Sequence, residues 1–114
     1  MSYRSIKSNQ RLERQLAFQV DGSVPELDIG SGLGTLVENS DGNYTITFAR
    51  AFARTPIALA TTITDVSTVR IISCSTTAVN IEQVGADQTT PLADADFNLL
   101  VIGWDTASEF SELL

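Results

Sequence analysis

The chain has 114 residues, no histidine, one cysteine, and fourteen acidic against seven basic residues, which gives a net charge of −7. This length supports one domain with one hydrophobic core. The lack of histidine excludes histidine-dependent catalytic triads and imidazole metal sites. A single cysteine excludes an internal disulfide, a thiolate metal cluster and a CxxC redox motif. We therefore predict a protein without cofactor, metal or catalytic residues.

Charge is distributed unevenly along the chain. The first fourteen residues carry four cations against Glu13, a net charge of +3, and the remainder carries −10. A body this acidic repels phosphate, so nucleic acid is not an expected partner. The amino terminus has no apolar run followed by a cleavage site, and no stretch approaches the roughly 18 apolar residues of a membrane span. The sequence predicts a protein made in the cytoplasm, with no membrane partner.

Residues 1–28 are predicted to form an amino-terminal arm and linker, separate from a domain over residues 29–114. Of the thirty Thr, Ile and Val residues, three precede residue 29. Ser8 could cap a short helix with Leu12 and Leu16 on one face, or Leu16 and Phe18 could belong to a strand; the pattern leaves both open. Residues 21–25 have the composition of a turn and linker. The arm is accordingly predicted to be extended or partly helical.

From residue 29 onward, short runs of β-branched and aromatic residues alternate with clusters of Gly, Asn, Asp and Ser. This alternation predicts an all-β fold, an antiparallel β-sandwich of jelly-roll-like form. Residues 39–43 (NSDGN) favour a hairpin turn, and Pro56 can precede a strand without loss of a ladder hydrogen bond. The predicted strands are 33–38, 44–49, 57–64, 69–75, 78–84 and 97–104.

The last predicted strand, 97–104 (FNLLVIGW), is apolar on both faces. A strand with this pattern is central in its sheet or lies in an interface. Because a small two-layer sandwich fully covers one face only, we predict that the second face is buried in a homo-oligomer. The residues assigned to this interface are Phe97, Leu99, Leu100, Ile102 and Trp104.

Three short motifs favour structural interpretations over chemical ones. Residues 30–34 (GSGLG) precede a strand, whereas a phosphate loop precedes a helix. Residues 104–107 (WDTA) have Ala where an aspartic protease has Gly, so Asp105 is interpreted as an acid that ends a strand. The polar loop 85–96 contains acids that could converge on calcium, but a solvated acidic loop is the better interpretation. These acids are Asp87, Asp94 and Asp96.

One longer pattern is recognisable across the predicted strands. It comprises Gly42-Asn43-Tyr44-Thr45-Ile46-Thr47-Phe48, then Phe52 and Pro56, and finally Phe97-Asn98 leading into Val101-Ile102-Gly103-Trp104. This pattern resembles the small β-sandwich modules of tailed-bacteriophage virions, over roughly residues 32–105. Such modules occur at tail-fibre tips and as separate capsid decoration, or cement, proteins, which are commonly trimeric.

The resemblance implies a non-enzymatic structural protein of the virion. It would be made in the host cytoplasm, form a homotrimer, and stabilise the capsid surface by bridging subunits of the major capsid protein, with no small-molecule ligand. In this interpretation, apolar residues of the arm enter grooves between subunits and its cations meet acidic rims. The predicted capsid-binding residues are Arg4, Ile6, Lys7, Arg11, Leu12, Arg14, Leu16 and Phe18.

An alternative is a receptor- or glycan-binding module of the tail-fibre-tip or lectin type. The closing strand is also similar to that of H-type lectins, which are trimeric sandwiches that bind sugar. Recognition would then use the loops 39–43 and 85–96. Sugar sites commonly stack a pyranose ring on an exposed aromatic ring, and Tyr44, the aromatic residue nearest to a loop tip, alternates with core positions.

Overall fold

The computed structural model describes residues 12–63, 68–85, 87–91 and 95–105. Within these residues the fold is all-β, with two four-stranded antiparallel sheets. Sheet A has the strand order β2-β1-β8-β5 and sheet B the order β3-β4-β7-β6. The strands are β1 (Leu12–Asp21), β2 (Glu26–Ile29), β3 (Gly34–Ser40), β4 (Asn43–Phe48), β5 (Ile57–Thr62), β6 (Thr68–Cys74), β7 (Ala78–Val84) and β8 (Phe97–Asp105).

Alternate residues of both sheets point into one apolar core. The ring of Tyr44 in sheet B lies with its centroid 5.5 Å from that of Phe97 in sheet A, and both residues are fully buried. This packing confirms an all-β, sandwich-like fold, while the jelly-roll-like form stays a prediction. The core side chains contributed by the strands are Leu16, Phe18, Val20, Phe97, Leu99 and Val101 from sheet A, and Tyr44, Ile46, Phe48, Val79 and Ile81 from sheet B.

The first hairpin follows the predicted pattern. Tyr44, Ile46 and Phe48 share the buried face of β4, and Gly42 in the preceding turn has a φ of 73°. Glycine adopts this left-handed conformation without steric cost, which is why a turn at this position needs it. The Gly42 carbonyl also accepts a 2.7 Å hydrogen bond from the amide of Gln83, which connects the turn to β7.

Strand β1 corrects the predicted arm. Residues 12–20 pair with the whole length of β8, from Leu12 opposite Asp105 to Val20 opposite Phe97. Of the two alternatives left open for this segment, the strand is therefore the one formed. Burial explains why the strand belongs to the domain, since every second residue from Leu16 to Val20 enters the core. Residues 26–29 form the adjacent strand β2, so residues 12–28 are not a separate arm and linker.

Two of the predicted capsid-binding residues of the arm are core residues. The exposed fraction is 3% for Leu16 and 2% for Phe18, so neither side chain is available to a partner. Arg4, Ile6, Lys7 and Arg11 lie outside the described residues.

Strand β8 is central, as its two apolar faces predicted. It lies between β1 and β5, and its residues alternate between the core and the opposite, outward face. Phe97 and Leu99 are 0% and 2% exposed and belong to the core, so their assignment to an oligomer interface is wrong. Leu100, Ile102 and Trp104 are half-buried and point outward.

Candidate interaction surface

The outward face of sheet A is largely apolar. Cross-strand pairing brings Leu100 of β8 between Ala17 and Leu59, and Ile102 between Gln15 and Ile57. Ile57 and Leu59 are 52% and 55% exposed, although both are large aliphatic residues. We call this surface the outer face of sheet A. Its apolar residues are Ala17, Ile29, Ile57, Leu59, Leu100, Ile102 and Trp104.

A groove of about 380 Å³ crosses this face near the middle of the strands. The groove is open because Ala17 has a small side chain, whereas the residues around it on the neighbouring strands have longer ones. The groove is bordered by Ile29 on one side, which is 53% exposed, and by Leu59 and Thr61 on the other. At one end, the Gln19 amide donates a 3.1 Å hydrogen bond to the Asn98 side chain. The floor and walls are thus mostly aliphatic, with uncharged polar groups at the end.

The outer face of sheet A carries little charge. Among the outward residues of β1, β5 and β8 described at positions 13–19, 57–61 and 98–104, Glu13 is the charged one. It accepts a 3.0 Å hydrogen bond from Gln15. For a chain of net charge −7, the part of this face formed by β1, β5 and β8 therefore carries little charge, and the acids Asp21, Glu26 and Asp28 lie at the β1–β2 corner of the same sheet.

The outward face of sheet B is different. Its centre is a network of amides and hydroxyls in which Asn39 and Asn80 each donate a 2.9 Å hydrogen bond to the side chain of Asn43. Both also donate to Thr45, at 2.8 and 3.2 Å. Polar groups satisfied in this way are typical of a surface that faces water. Val37 and Ile72 of sheet B are exposed too, but they flank a polar centre, so the more apolar outer face of sheet A is the candidate interaction surface.

Sequence reasoning found only part of this surface. It placed Leu100, Ile102 and Trp104 on it but missed the contributions of β1, β2 and β5. A signal was present in β5, where large and small residues alternate. Its outward side carries Ile57 and Leu59, and its half-buried inward side carries Ala58 and Ala60. A strand that points its larger side chains away from the core indicates a second contact.

Arg14 and Asp105 form a buried ionic group at the end of sheet A. Asp105 is 4% exposed and accepts hydrogen bonds from Arg14 at 2.9 Å and from Arg50 at 2.7 Å. Arg14 donates further bonds to the carbonyls of Arg50 and Ala51, at 3.0 and 2.9 Å. Its guanidinium carbon lies 4.0 Å from the ring centroid of Phe52. The group joins β1, β8 and the segment after β4.

This arrangement corrects the predicted role of Arg14, whose charge is used within the fold and not on a capsid rim. It also refines the interpretation of Asp105. Asp105 is the last described residue of β8, and its side-chain partners there are two arginines. The Asp105 carboxylate is thus held by two guanidinium groups.

The loop after β7 uses its first acid to shape a turn. Asp87 accepts hydrogen bonds from the amides of Thr89 and Thr90, at 3.0 and 2.9 Å, and from the Thr90 hydroxyl. The same bonds, that of the Thr90 hydroxyl first, hold the pKa of Asp87 below its usual value. Asp96 lies elsewhere, accepting a 2.9 Å bond from the amide of Gly22, and Asp94 is outside the described residues. The calcium interpretation gains no support from this geometry.

We expect the pKa of Asp87 to rise towards its usual value when Thr90 is replaced by valine. This change removes the Thr90 hydroxyl, whose hydrogen bond to the carboxylate has the largest effect on that pKa. The matched variant Thr89→Val keeps both backbone bonds and should change the pKa less. Since the folded pKa is lowered, this carboxylate favours folding above its ordinary pKa, and that contribution is lost as the pH falls. Carboxyl NMR titration measures each pKa, and equal values in wild type and Thr90→Val would contradict the assignment.

Three acids meet at the corner between β1 and β2. The carboxylates of Asp21, Glu26 and Asp28 lie within 4.8 Å of one another. Asp21 accepts hydrogen bonds from the hydroxyl and the amide of Ser23, at 2.6 and 2.9 Å. These two bonds lower the pKa of Asp21, the hydroxyl having the larger effect. Asp21 therefore stabilises its own turn, and Glu26 and Asp28 are exposed.

Two further residues have structural roles. Tyr44 is fully buried, so its ring cannot stack on a sugar at the loop 39–43. Cys74 is half-buried against the core, and burial raises the pKa of its thiol. Neither residue adds to a binding surface.

No model of a known protein family matches the sequence, and no curated protein sequence is significantly similar to it. The described residues also contain no helix long and apolar enough to cross a membrane. Inferences about function therefore depend on the surface described above and on the sequence pattern.

Proposed function

We propose that the protein is a non-enzymatic structural protein of a tailed-phage virion, which decorates and stabilises the capsid as a homotrimer. The observation that carries this proposal is the apolar outer face of sheet A, set against the polar outer face of sheet B. An exposed apolar patch is typical of an interaction site, and we assign this one to contact between copies of the chain. The phage assignment comes from the resemblance of residues 32–105 to virion β-sandwich modules.

The mechanism is interface burial on an assembled shell. Removal of apolar surface from water contributes about 25 cal/mol per Å², before the costs of association and ordering are subtracted. A ligand that binds the assembled state and not its free subunits shifts the equilibrium towards the shell. Repetition over equivalent capsid sites multiplies this effect, which is how a small decoration protein stabilises a large particle.

The size of the outer face limits the strength of a trimer that uses it alone. Four strands about 4.8 Å apart and six residues of about 3.3 Å each cover roughly 400 Å². A standard interface buries about 800 Å² per partner. We therefore expect an association that depends on concentration, with further contacts needed for a permanent trimer.

Docking on the major capsid protein is assigned to residues 1–11. With Arg14, Leu16 and Phe18 used inside the fold, the remaining arm residues of the proposal are Arg4, Ile6, Lys7 and Arg11. The three cations would meet acidic rims and set the association rate, while Ile6 would prolong the bound state. Leu12 adjoins them at the first position of β1.

The test combines oligomeric state with capsid binding. Multi-angle light scattering over a range of micromolar concentrations is expected to show a trimer, and co-sedimentation is expected with undecorated capsids of the phage that encodes the chain. Leu100→Lys should disrupt the trimer, whereas Thr47→Lys, on the outer face of sheet B, should not. A monomer at all concentrations would contradict the trimer, and wild-type protein that stays in the supernatant would contradict the capsid role.

Deletion of residues 2–11 is expected to leave the sandwich folded, because strand β1 and its contacts are retained. Binding to undecorated capsids should weaken at least about tenfold, as expected for the loss of 1.4 kcal/mol or more. Isothermal titration calorimetry or quantitative co-sedimentation measures this difference. Reversal of charge at Arg4 and Lys7 alone should mainly reduce the association rate. Undiminished binding by the deletion variant would assign docking to the sandwich itself.

A further inference from the structure

The segment that connects β4 to β5 is a loop anchored by one core side chain. We call residues 49–55 (ARAFART) the Phe52 loop. The ring of Phe52 is buried and lies nearly perpendicular to that of Phe48, with 5.2 Å between the two ring centroids. The same ring packs directly on Gly103 of β8, where no side chain would fit. The middle of the loop is thus fixed in the core.

Hydrogen bonds hold the main chain of the Phe52 loop on both sides of the buried ring. The amide of Phe52 donates a 2.9 Å bond to a carbonyl in the turn between β6 and β7, and the amide of Ala53 donates a 3.0 Å bond to the carbonyl of Trp104. Before the ring, Arg14 donates to the two loop carbonyls described above. The conformation of the loop is therefore set within the monomer, before any partner arrives.

The Phe52 loop directs two arginines outward. Arg50 and Arg54 lie two residues before and after Phe52, and both are exposed, as are the alanines at positions 49, 51 and 53. Alanine side chains are too short to cover a guanidinium group. The Arg50 side chain is 62% exposed although it donates to Asp105. Because a guanidinium has five N–H donors, Arg50 can bind Asp105 and a second carboxylate together.

The two ends of the sandwich differ in charge. Of the arginines in the described residues, all but Arg70 lie at the end formed by the start of β1, the end of β8 and the Phe52 loop, where the described acids are Glu13 and Asp105. The other described acids lie towards the opposite end, among them the cluster of Asp21 and Glu26. An acidic partner therefore meets the least repulsion when it approaches the Phe52 loop.

We propose that the Phe52 loop is a docking surface for an acidic segment of a partner protein, with Arg50 and Arg54 as the residues that meet its carboxylates. Arginine suits this contact because its planar guanidinium can bind a carboxylate through two parallel N–H···O bonds. A loop that is already fixed loses little conformational entropy on binding. Exposed ion pairs are individually weak, so the loop acts mainly on the rate and orientation of the encounter.

For the identity of the partner, this inference rests on the proposed function, in which the chain docks on the major capsid protein. Strand β1 begins at Leu12, opposite Asp105, so the arm leads into the same end of the sandwich that carries the Phe52 loop. The arm and the loop can therefore bind one acidic region of the capsid. The loop can be tested without the capsid, because any acidic polypeptide offers the same carboxylates.

Nucleic acid is the alternative anionic partner, and the charge of the molecule disfavours it. Affinity for nucleic acid depends on the number of phosphates that are neutralised, and Arg50 and Arg54 neutralise few. The rest of a chain of net charge −7 repels a continuous polyanion. A short acidic segment of a protein can contact the loop and avoid the acidic end.

The first experiment titrates the isotope-labelled full chain with poly-L-glutamate at neutral pH and low ionic strength, and follows the amide signals by NMR. We expect the signals of residues 49–55 to shift, and the shifts to disappear as salt screens the charges. Shifts confined to residues outside the loop, or no shifts at all, would overturn the proposal. Tighter binding at this loop by a single-stranded oligonucleotide of equal length would overturn the assignment to an acidic protein.

A pair of matched variants tests the loop directly. Arg54→Gln and Arg70→Gln make the same substitution and give the same net charge, but at opposite ends of the sandwich. Arg54→Gln should weaken binding of poly-L-glutamate at least about threefold and slow association with undecorated capsids by a similar factor, whereas Arg70→Gln should change neither. Equal effects of the two variants would show that net charge alone attracts the partner, and would overturn the proposal. If wild-type protein bound poly-L-glutamate through the loop but did not bind capsids, the proposed function would fail and the docking surface would stand.

Discussion

Replacement of Asp105 by alanine is expected to destabilise the fold by about 3–5 kcal/mol, the usual cost of removing one partner of a buried ion pair. Arg14 would lose its carboxylate while its side chain, 16% exposed, stays largely out of water. Its Nε is buried without a hydrogen-bond partner in the described part of the chain, so it depends on the remaining contacts. The free energy of unfolding, from urea or guanidinium titration, measures the loss.

The control for this prediction is the exposed ion pair between Arg70 and Glu82. Their side chains are 45% and 29% exposed, and pairs of this kind contribute about 0–1 kcal/mol. Glu82→Ala should therefore have a much smaller effect than Asp105→Ala. Asp105→Asn, which keeps shape but not charge, is expected to lie between the two. Equal losses for Asp105→Ala and Glu82→Ala would show that the buried group does not stabilise the fold.

The adjacent residues Leu99 and Leu100 provide the second large prediction. They have the same side chain, yet Leu99 is 2% exposed in the core and Leu100 lies on the outer face of sheet A. Leu99→Ala should destabilise the monomer by about 2–5 kcal/mol, through lost apolar burial and the cavity left behind. Leu100→Ala should cost the monomer less and weaken self-association.

Unfolding titrations at low protein concentration measure the first quantity, and light scattering or sedimentation at higher concentrations measures the second. The two variants have identical composition, so any difference between them comes from position alone. If Leu99→Ala weakened self-association and left the free energy of unfolding of the monomer unchanged, the assignment of Leu99 to the core and of Leu100 to the outer face would be wrong. If Leu100→Ala left association unchanged, the outer face would not be the trimer contact.

Local pattern was sufficient to predict most strands after residue 29. In β4, the alternation of Tyr44, Ile46 and Phe48 with threonines specified both the strand and its buried face. The turn before it was evident from Asp41-Gly42. Strands β6 and β7 agree with the predicted strands 69–75 and 78–84 to within a residue at each end, because their β-branched runs are bounded by polar residues. These elements pair with chain neighbours, which local sequence can indicate.

Strand β1 was ambiguous for a physical reason. Its inward residues Leu16, Phe18 and Val20 have the period of a strand, but Leu12 and Leu16 also fit one face of a helix. What decides between them is pairing with β8, more than seventy residues away along the chain. Such a partner leaves no local signal. Because this pairing leaves no local signal, the sequence also placed the end of the arm at residue 28 and assigned Arg14 to a capsid contact.

The candidate surface was predicted in part for a related reason. The apolar run of β8 indicated that both of its faces are covered, but not which residues point to which side. Only the pairing of β8 with β1 and β5 shows that Phe97 and Leu99 face the core. The groove over Ala17 depends on four strands brought together from both ends of the described chain. Its existence follows from tertiary structure alone.

The pairing of β1 with β8 has a consequence for how the molecule is made. In synthesis on a ribosome, residues 12–21 emerge early and must wait for residues 97–105, while β3, β4, β6 and β7 can already assemble into sheet B. Contacts of such large sequence separation make folding slow, commonly milliseconds to seconds for all-β proteins. During that interval the inward residues of β1 remain uncovered. A chaperone that shields Leu16, Phe18 and Val20 until β8 is available would therefore increase the yield of folded protein.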